Sequence, residues 1–178
     1  MQWKEVITFW FEETPEEKWF KKDTSFDKEI CERFSQIHED VARRNTLAWQ
    51  SEPEGRLAEI IVLDQFSRNM FRDTAKAFAY DDLALTLAKE GVREEVDQKT
   101  DEKKRAFFYM PYMHSESKED HVAAVELFDS LSDKGYLKYE YMHKDIIDQF
   151  GRYPHRNEVL GRTSTPEEKE FLKTHSGF

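Results

Sequence analysis

Apolar residues recur along this chain at helical spacing, and no stretch shows the strict alternation of a half-buried strand. The clearest stripe is Phe26, Ile30, Phe34, Ile37 and Val41, which steps by four, four, three and four. It predicts a helix from Phe26 to about Arg44 with Ser25 as its N-cap. Cys31 lies beside the stripe and reads as core; His38 reads as a surface or packing histidine. Upstream, Val6, Ile7, Phe9, Trp10 and Phe11 predict a short helix from Trp3 to Glu13. Thr14-Pro15 then offers a second start, with Glu17 at the capping-box position and Trp19 and Phe20 as a lid over the core.

Downstream, Pro53 opens a helix through Leu57, Ile60, Ile61 and Leu63. Asp81 can cap a helix from Asp82 to Glu90 that stops at Gly91, and Val92 to Lys99 reads as a connection. Asp101 to Met110 reads as helical, ended or kinked at Pro111. Ser117 and Asp120 frame a capping box for a helix from Lys118 to Ser132, closed by Gly135. Tyr136 to Phe150 predicts another, ending at Gly151. Thr165-Pro166-Glu167-Glu168 is a capping box that begins a short helix to about Thr174. The expected class is all-α, with short connections that favour antiparallel helix pairs in a single domain over residues 1–178.

Two stretches stand out against this background. Asp64-Gln65-Phe66-Ser67-Arg68-Asn69-Met70-Phe71-Arg72 and Asp148-Gln149-Phe150-Gly151-Arg152-Tyr153-Pro154-His155-Arg156 share Asp, Gln, Phe and two Arg at the same spacing, 84 residues apart. Each follows a short apolar run, Ile60 to Leu63 or Ile146-Ile147, so both read as the last turn of a helix and its exit. On a helix, Asp64 and Arg68 share a face, as do Asp148 and Arg152. An exposed pair of this kind stabilises by only about 0.2–0.5 kcal/mol. If buried, the carboxylate fixes the guanidinium and leaves its fork free to grip a carboxylate or phosphate. The plainer reading is that each pair locks a helix end to the following loop.

Composition narrows the partners. The 178 residues carry a net charge of −10, which disfavours nucleic acid. Fourteen Phe, seven Tyr and four Trp argue against disorder despite 36 % charged residues. The lone cysteine excludes an intrachain disulfide and a cysteine-rich metal site. The apolar patch Val6 to Phe11 is too short for a signal peptide, and no run approaches the roughly 20 apolar residues of a membrane span. A cytoplasmic protein is the expectation.

A second candidate segment is Phe108-Tyr109-Met110-Pro111-Tyr112-Met113-His114-Ser115-Glu116, where a proline break in aromatic residues leads to three polar groups at a helix start. Ser115 lacks the glycines of a nucleophile elbow. His114, His121, His143 and His155, with Glu116 or Asp145, do not match the spacing of a helical metal pair, so neither a metal nor a cofactor is expected. His155, between Pro154 and Arg156, is the other histidine placed for chemistry.

Several long motifs follow one another in an order that resembles an uncharacterised bacterial family, domain of unknown function 924. They are Phe9-Trp10-Phe11, Trp19-Phe20-Lys21-Lys22-Asp23 with Phe26-Asp27, Leu63-Asp64-Gln65-Phe66 with Arg68-Asn69, Ala77-Phe78-Ala79, Phe107 to Glu116, Phe150 to Asn157, Leu160-Gly161-Arg162 and Ser164 to Glu168. The resemblance implies a fold similar to tetratricopeptide-repeat proteins and no established activity. Ser67 stands where the family often has proline, Asp73 and Ala75 depart from an expected Gly-Thr-Pro, and His121 replaces a usual Gln.

Three functional expectations emerge. The first is a pocket for a small anionic ligand or acidic peptide end, gripped by Arg68, Arg72, Arg152 and Arg156. Asp64 and Asp148 would orient these arginines, and Tyr109, Tyr112, His114, Glu116 and His155 would line the pocket. The second is a hydrolase or lyase with His114 or His155 as general base and an arginine stabilising developing charge. The third is an interaction module in which the two boxes serve only the core.

Overall fold

The protein is all-helical. The computed structural model describes residues 2–178, and no strand occurs among them. The α-helices are α1 (Trp3–Thr8), α2 (Thr24–Ala42), α3 (Pro53–Ile61), α4 (Ser67–Met70), α5 (Asp81–Arg93), α6 (Glu102–His114), α7 (Lys118–Asp129), α8 (Lys134–Phe150) and α9 (Pro166–Leu172). Short connections fold α6, α7 and α8 into successive hairpins, while α3 packs against α1, α5 and α6.

The stripe of α2 is buried as expected, from Phe26 to Val41. It meets Phe9, Trp10, Phe66 and Phe107 in one aromatic core, where Phe9 and Phe34 lie 4.8 Å apart and Trp10 stands edge-on to Phe107 at 5.9 Å. Such pairs add about 0.5–1.5 kcal/mol each beyond the area they bury. Trp19 is buried and donates its indole N–H to the Trp10 carbonyl, whereas Phe20 remains exposed. Cys31 is only half-buried, and His38 is buried against Ser67.

Several helix ends differ from expectation for local reasons. Trp3–Glu13 is not one α-helix: after Thr8 it widens into a π turn over Phe9–Glu13. Thr14 closes that turn with both its N–H and its hydroxyl on the Phe9 carbonyl, so the hydroxyl cannot also cap the next turn. Asp23, not Ser25, caps α2, accepting from the Ser25 and Phe26 amides. Gly91 lies inside α5, where it makes room for Phe108 of α6. Helix α6 runs through Pro111 as far as His114. Ser117 makes no capping bond to α7, because its hydroxyl donates to Glu119. Asp133 caps α8, which starts two residues earlier than expected, so Gly135 lies in its first turn rather than closing its predecessor. The Thr165–Glu168 capping box forms as expected.

A second π turn spans Val62–Phe66, between α3 and α4, and therefore holds Asp64 and Gln65. Single π turns inside helices occur disproportionately at functional sites, since they re-aim side chains without ending the helix.

Candidate functional site

Asp64 is 1 % exposed, yet it is charged. Its carboxylate accepts from His114 Nδ1 at 2.7 Å, Gln65 Nε2 at 2.7 Å and Arg68 Nη1 at 3.2 Å. Burial alone would favour the protonated acid, but His114 and Arg68 outweigh it and hold the group at about 2. An ionised Asp64 can only accept, so His114 carries its proton on Nδ1. The Nε2 lone pair then faces no protein donor among the described residues. Burial, and after it the nearby Arg68 charge, pulls His114 below the ordinary histidine range despite the opposing pull of Asp64.

Arg68 does not stop at Asp64. It forks onto Asp81 at the start of α5, with Nη1 and Nη2 at 2.8 and 3.0 Å from the two carboxylate oxygens. Arg156 reaches the same carboxylate at 3.3 Å and donates to the His114 carbonyl at 2.9 Å. Its guanidinium lies between the Phe78 and Tyr153 rings, 4.5 and 4.7 Å from their centroids. Glu116 pairs with Arg162 at 2.9 Å and accepts from the Tyr153 amide at 2.7 Å.

The end of α6 that carries His114 is held by its own carbonyls. Met113 accepts from the Tyr153 hydroxyl at 2.6 Å, His114 from Arg156, and Ser115 from His121 Nε2 at 2.7 Å. The last carbonyls of a helix lack helical donors, and here side chains supply three of them in succession. The result is a half-open cleft of about 190 Å³ whose walls include Phe78, Leu85, Pro111, His114, Arg156 and Leu160.

The two boxes are not equivalent in this arrangement. Both sit at a helix end, but the first continues helically to Met70, which keeps Arg68 four residues from Asp64 on one face. In the second, Gly151 turns left-handed at φ +72° and breaks the helix before Arg152. Asp148 is exposed and pairs with Lys144, while Arg152 forks onto Glu168 at 2.7 and 2.9 Å. Arg72 is spent on Asp27 of α2 at 2.6 and 2.7 Å. The expected convergence of four arginines is therefore not formed. Tyr109 and Tyr112 are buried away from the cleft, the former donating to Asp97 at 2.7 Å. His155 lines a separate depression of about 480 Å³ with Lys169 and His175, and burial, then Arg156, lowers it to about 4.

Sequence reasoning missed Asp81, read only as a helix cap, although it joins Arg68 to Arg156. It also missed Phe78, Tyr153 and Arg162 as site residues. No candidate metal cluster of three or more His, Cys, Asp or Glu side chains occurs among the described residues. Nor is any of their helices long and apolar enough to cross a membrane.

Residues 6–176, which include every group of this site, match the model of a family described as bacterial protein of unknown function, DUF924. The chain belongs to the DUF924 family. It is also similar to a solved structure of a protein of unknown function, ATU0120 from Agrobacterium tumefaciens. The two are 40 % identical, the match covers 97 % of each chain, and the TM-score is 0.92. No curated protein matches this DUF924 chain.

Proposed function

We propose that this DUF924 protein is a small-molecule hydrolase or lyase whose general base is His114. Asp64 holds the ring, and Arg156 stands beside it as the cation that meets negative charge developing on the substrate. The observation that carries this reading is the 2.7 Å contact between His114 Nδ1 and a buried, ionised Asp64. In this reading Nε2 takes a proton from water or from the substrate, and Asp64 stabilises the imidazolium that forms. Arg68 acts through Asp64: it fixes the carboxylate and keeps it charged. Glu116 ties Arg162 and the Tyr153 amide to the chain just past His114. The half-buried thiol of Cys31, free of any disulfide, suits a reducing compartment, and we place the protein in the cytoplasm.

Histidine nitrogen NMR tests the base directly. At neutral pH His114 is expected to show one tautomer, protonated on Nδ1, and to titrate below the ordinary histidine range, first because it is buried. Asp64→Asn should erase the tautomer preference. On a panel of p-nitrophenyl esters, His114→Gln should lower turnover by roughly 10²–10⁴-fold, the usual contribution of a general base. Turnover unaffected by His114→Gln, or a ring protonated on Nε2 in the wild type, would sink the proposal.

A further inference from the structure

Resting on the reading of His114 as the base, we infer that the cleft takes an uncharged carbonyl compound, a small ester or amide, and discriminates against carboxylates and phosphates. The charges around the cleft already balance. Arg68 is matched by Asp64 and Asp81, Arg156 by Asp81, and Arg162 by Glu116. His114 adds no charge while it is neutral. Asp82, exposed on the rim of the cleft with no cation paired to it among the described residues, adds a negative one.

An anion entering here meets no spare positive charge. Arg156 Nε has no partner among the described residues but is buried out of reach, so an anion would compete with Asp81 for the Nη groups and leave that carboxylate with less compensation. Taking one partner from a buried ion pair is costly because the other is left stranded. An uncharged carbonyl disturbs none of these pairs, and its apolar portion fits the Phe78, Leu85, Pro111 and Leu160 walls. Charge then appears only during reaction. As water oxygen bonds to the carbonyl carbon, Nε2 takes one of its protons and the carbonyl oxygen becomes an oxyanion. Arg156, whose 3.3 Å contact is the longest of the three that the Asp81 carboxylate accepts, can lean toward that oxygen. The adduct collapses as the C–O or C–N bond breaks. The imidazolium gives its proton to the leaving alcohol or amine, and a carboxylic acid remains. That product ionises at neutral pH into the form the cleft disfavours, which aids its release.

The test uses matched probes on the intact protein. p-Nitrophenyl acetate is compared with the p-nitrophenyl half-ester of succinate and with p-nitrophenyl phosphate, in wild type, His114→Gln and Asp82→Lys. Preference for the acetate by about tenfold or more, narrowed in Asp82→Lys, is expected. The His114 ring signals are followed in parallel under titration with N-methylacetamide, acetate and inorganic phosphate at matched ionic strength. Saturable shifts are expected for the amide alone. Equal or better use of the charged esters overturns the charge inference and leaves His114 standing as base. A His114→Gln variant that keeps full turnover removes the base reading itself. If no neutral compound perturbs the ring, the inference is overturned whatever the esters do.

Discussion

A carbonyl oxygen can only accept, and that fact sets the protons of a second buried pair behind the cleft. His121 Nε2 must donate to the Ser115 carbonyl, so Nδ1 turns to Glu140 Oε1 at 2.6 Å. Both side chains are wholly buried, and burial pushes the Glu140 carboxyl up despite the opposing pull of His121. Glu140 Oε2 has no partner among the described residues, which a neutral acid tolerates better than a carboxylate. A proton on Glu140, donated to Nδ1, is the arrangement that the raised carboxyl and the unpartnered Oε2 favour. Glu140→Gln should keep a donor in place and be mild, whereas Glu140→Met should cost a further 1–3 kcal/mol or so by stranding Nδ1. Urea unfolding of the two variants decides it, and a Gln variant as damaged as the Met one would mean an ionised Glu140. At this scale the sequence revealed pairs that share a continuous helix, such as Asp64 and Arg68. It named Arg156 and Glu116 but not their partners, and it missed Asp81 as a site residue, because these contacts join separate elements and no local period encodes them. The Asp148–Arg152 expectation failed at Gly151, where one left-handed residue removes the i,i+4 geometry.

Among the elements, helix identity was legible almost throughout, because each helix buries a stripe whose period is visible in one dimension. Helix ends were less legible, since several residues compete for each cap. Asp23 displaced Ser25, and Thr14 turned back to Phe9. The π turns left no signal in the period at all. Glycine was misread where it serves packing rather than termination. A Cβ on Gly91 would sit 2.9 Å from the Phe108 ring edge, so this glycine sets the approach of α5 to α6. A Cβ on Gly55 would lie 2.1 Å from the Trp49 carbonyl oxygen, a backbone atom that cannot rotate aside. Gly91→Ala gains up to about 1 kcal/mol of helix propensity against its clash. Gly55→Ala is expected to lose about 3 kcal/mol, at the upper end of overpacking costs. Denaturant midpoints for the pair should rank Gly55→Ala far below Gly91→Ala. The reverse order would show that the turn before α3 yields easily.

For the molecule as a whole, buried histidines set the acid limit of stability. His38 and His143 are 3 % and 6 % exposed, and burial lowers them to about 4 and about 3. For His38 a nearby Lys76 adds to the effect; for His143 the Tyr139 carbonyl opposes it, while His114, His121 and His155 add to it. An unfolded histidine titrates near 6.5, so below that pH the unfolded chain binds protons that the folded chain refuses. The stabilisation is full above about pH 6.5 and drains away as pH falls toward the folded values. From about pH 7 to about pH 5, each of the two groups removes roughly 2 kcal/mol. Two such losses compare with a total stability of about 5–15 kcal/mol, so they are large enough to measure. The depressed carboxylates do not interfere in this window. Asp64 and Glu168, held at about 2 in the fold, withdraw their stabilisation only below about pH 4.5, as their unfolded values are passed. Urea unfolding across this range should thus give a stability that falls before the depressed carboxylates titrate, with the raised Glu140 carboxyl opposing part of the fall. The double variant His38→Gln with His143→Gln should start lower at pH 7, because His38 loses its 2.7 Å contact with Ser67, but change less with pH, the remainder coming from His155 and His114, which burial also lowers. A wild type equally stable at pH 7 and pH 5 would mean that both imidazoles take protons without leaving the core.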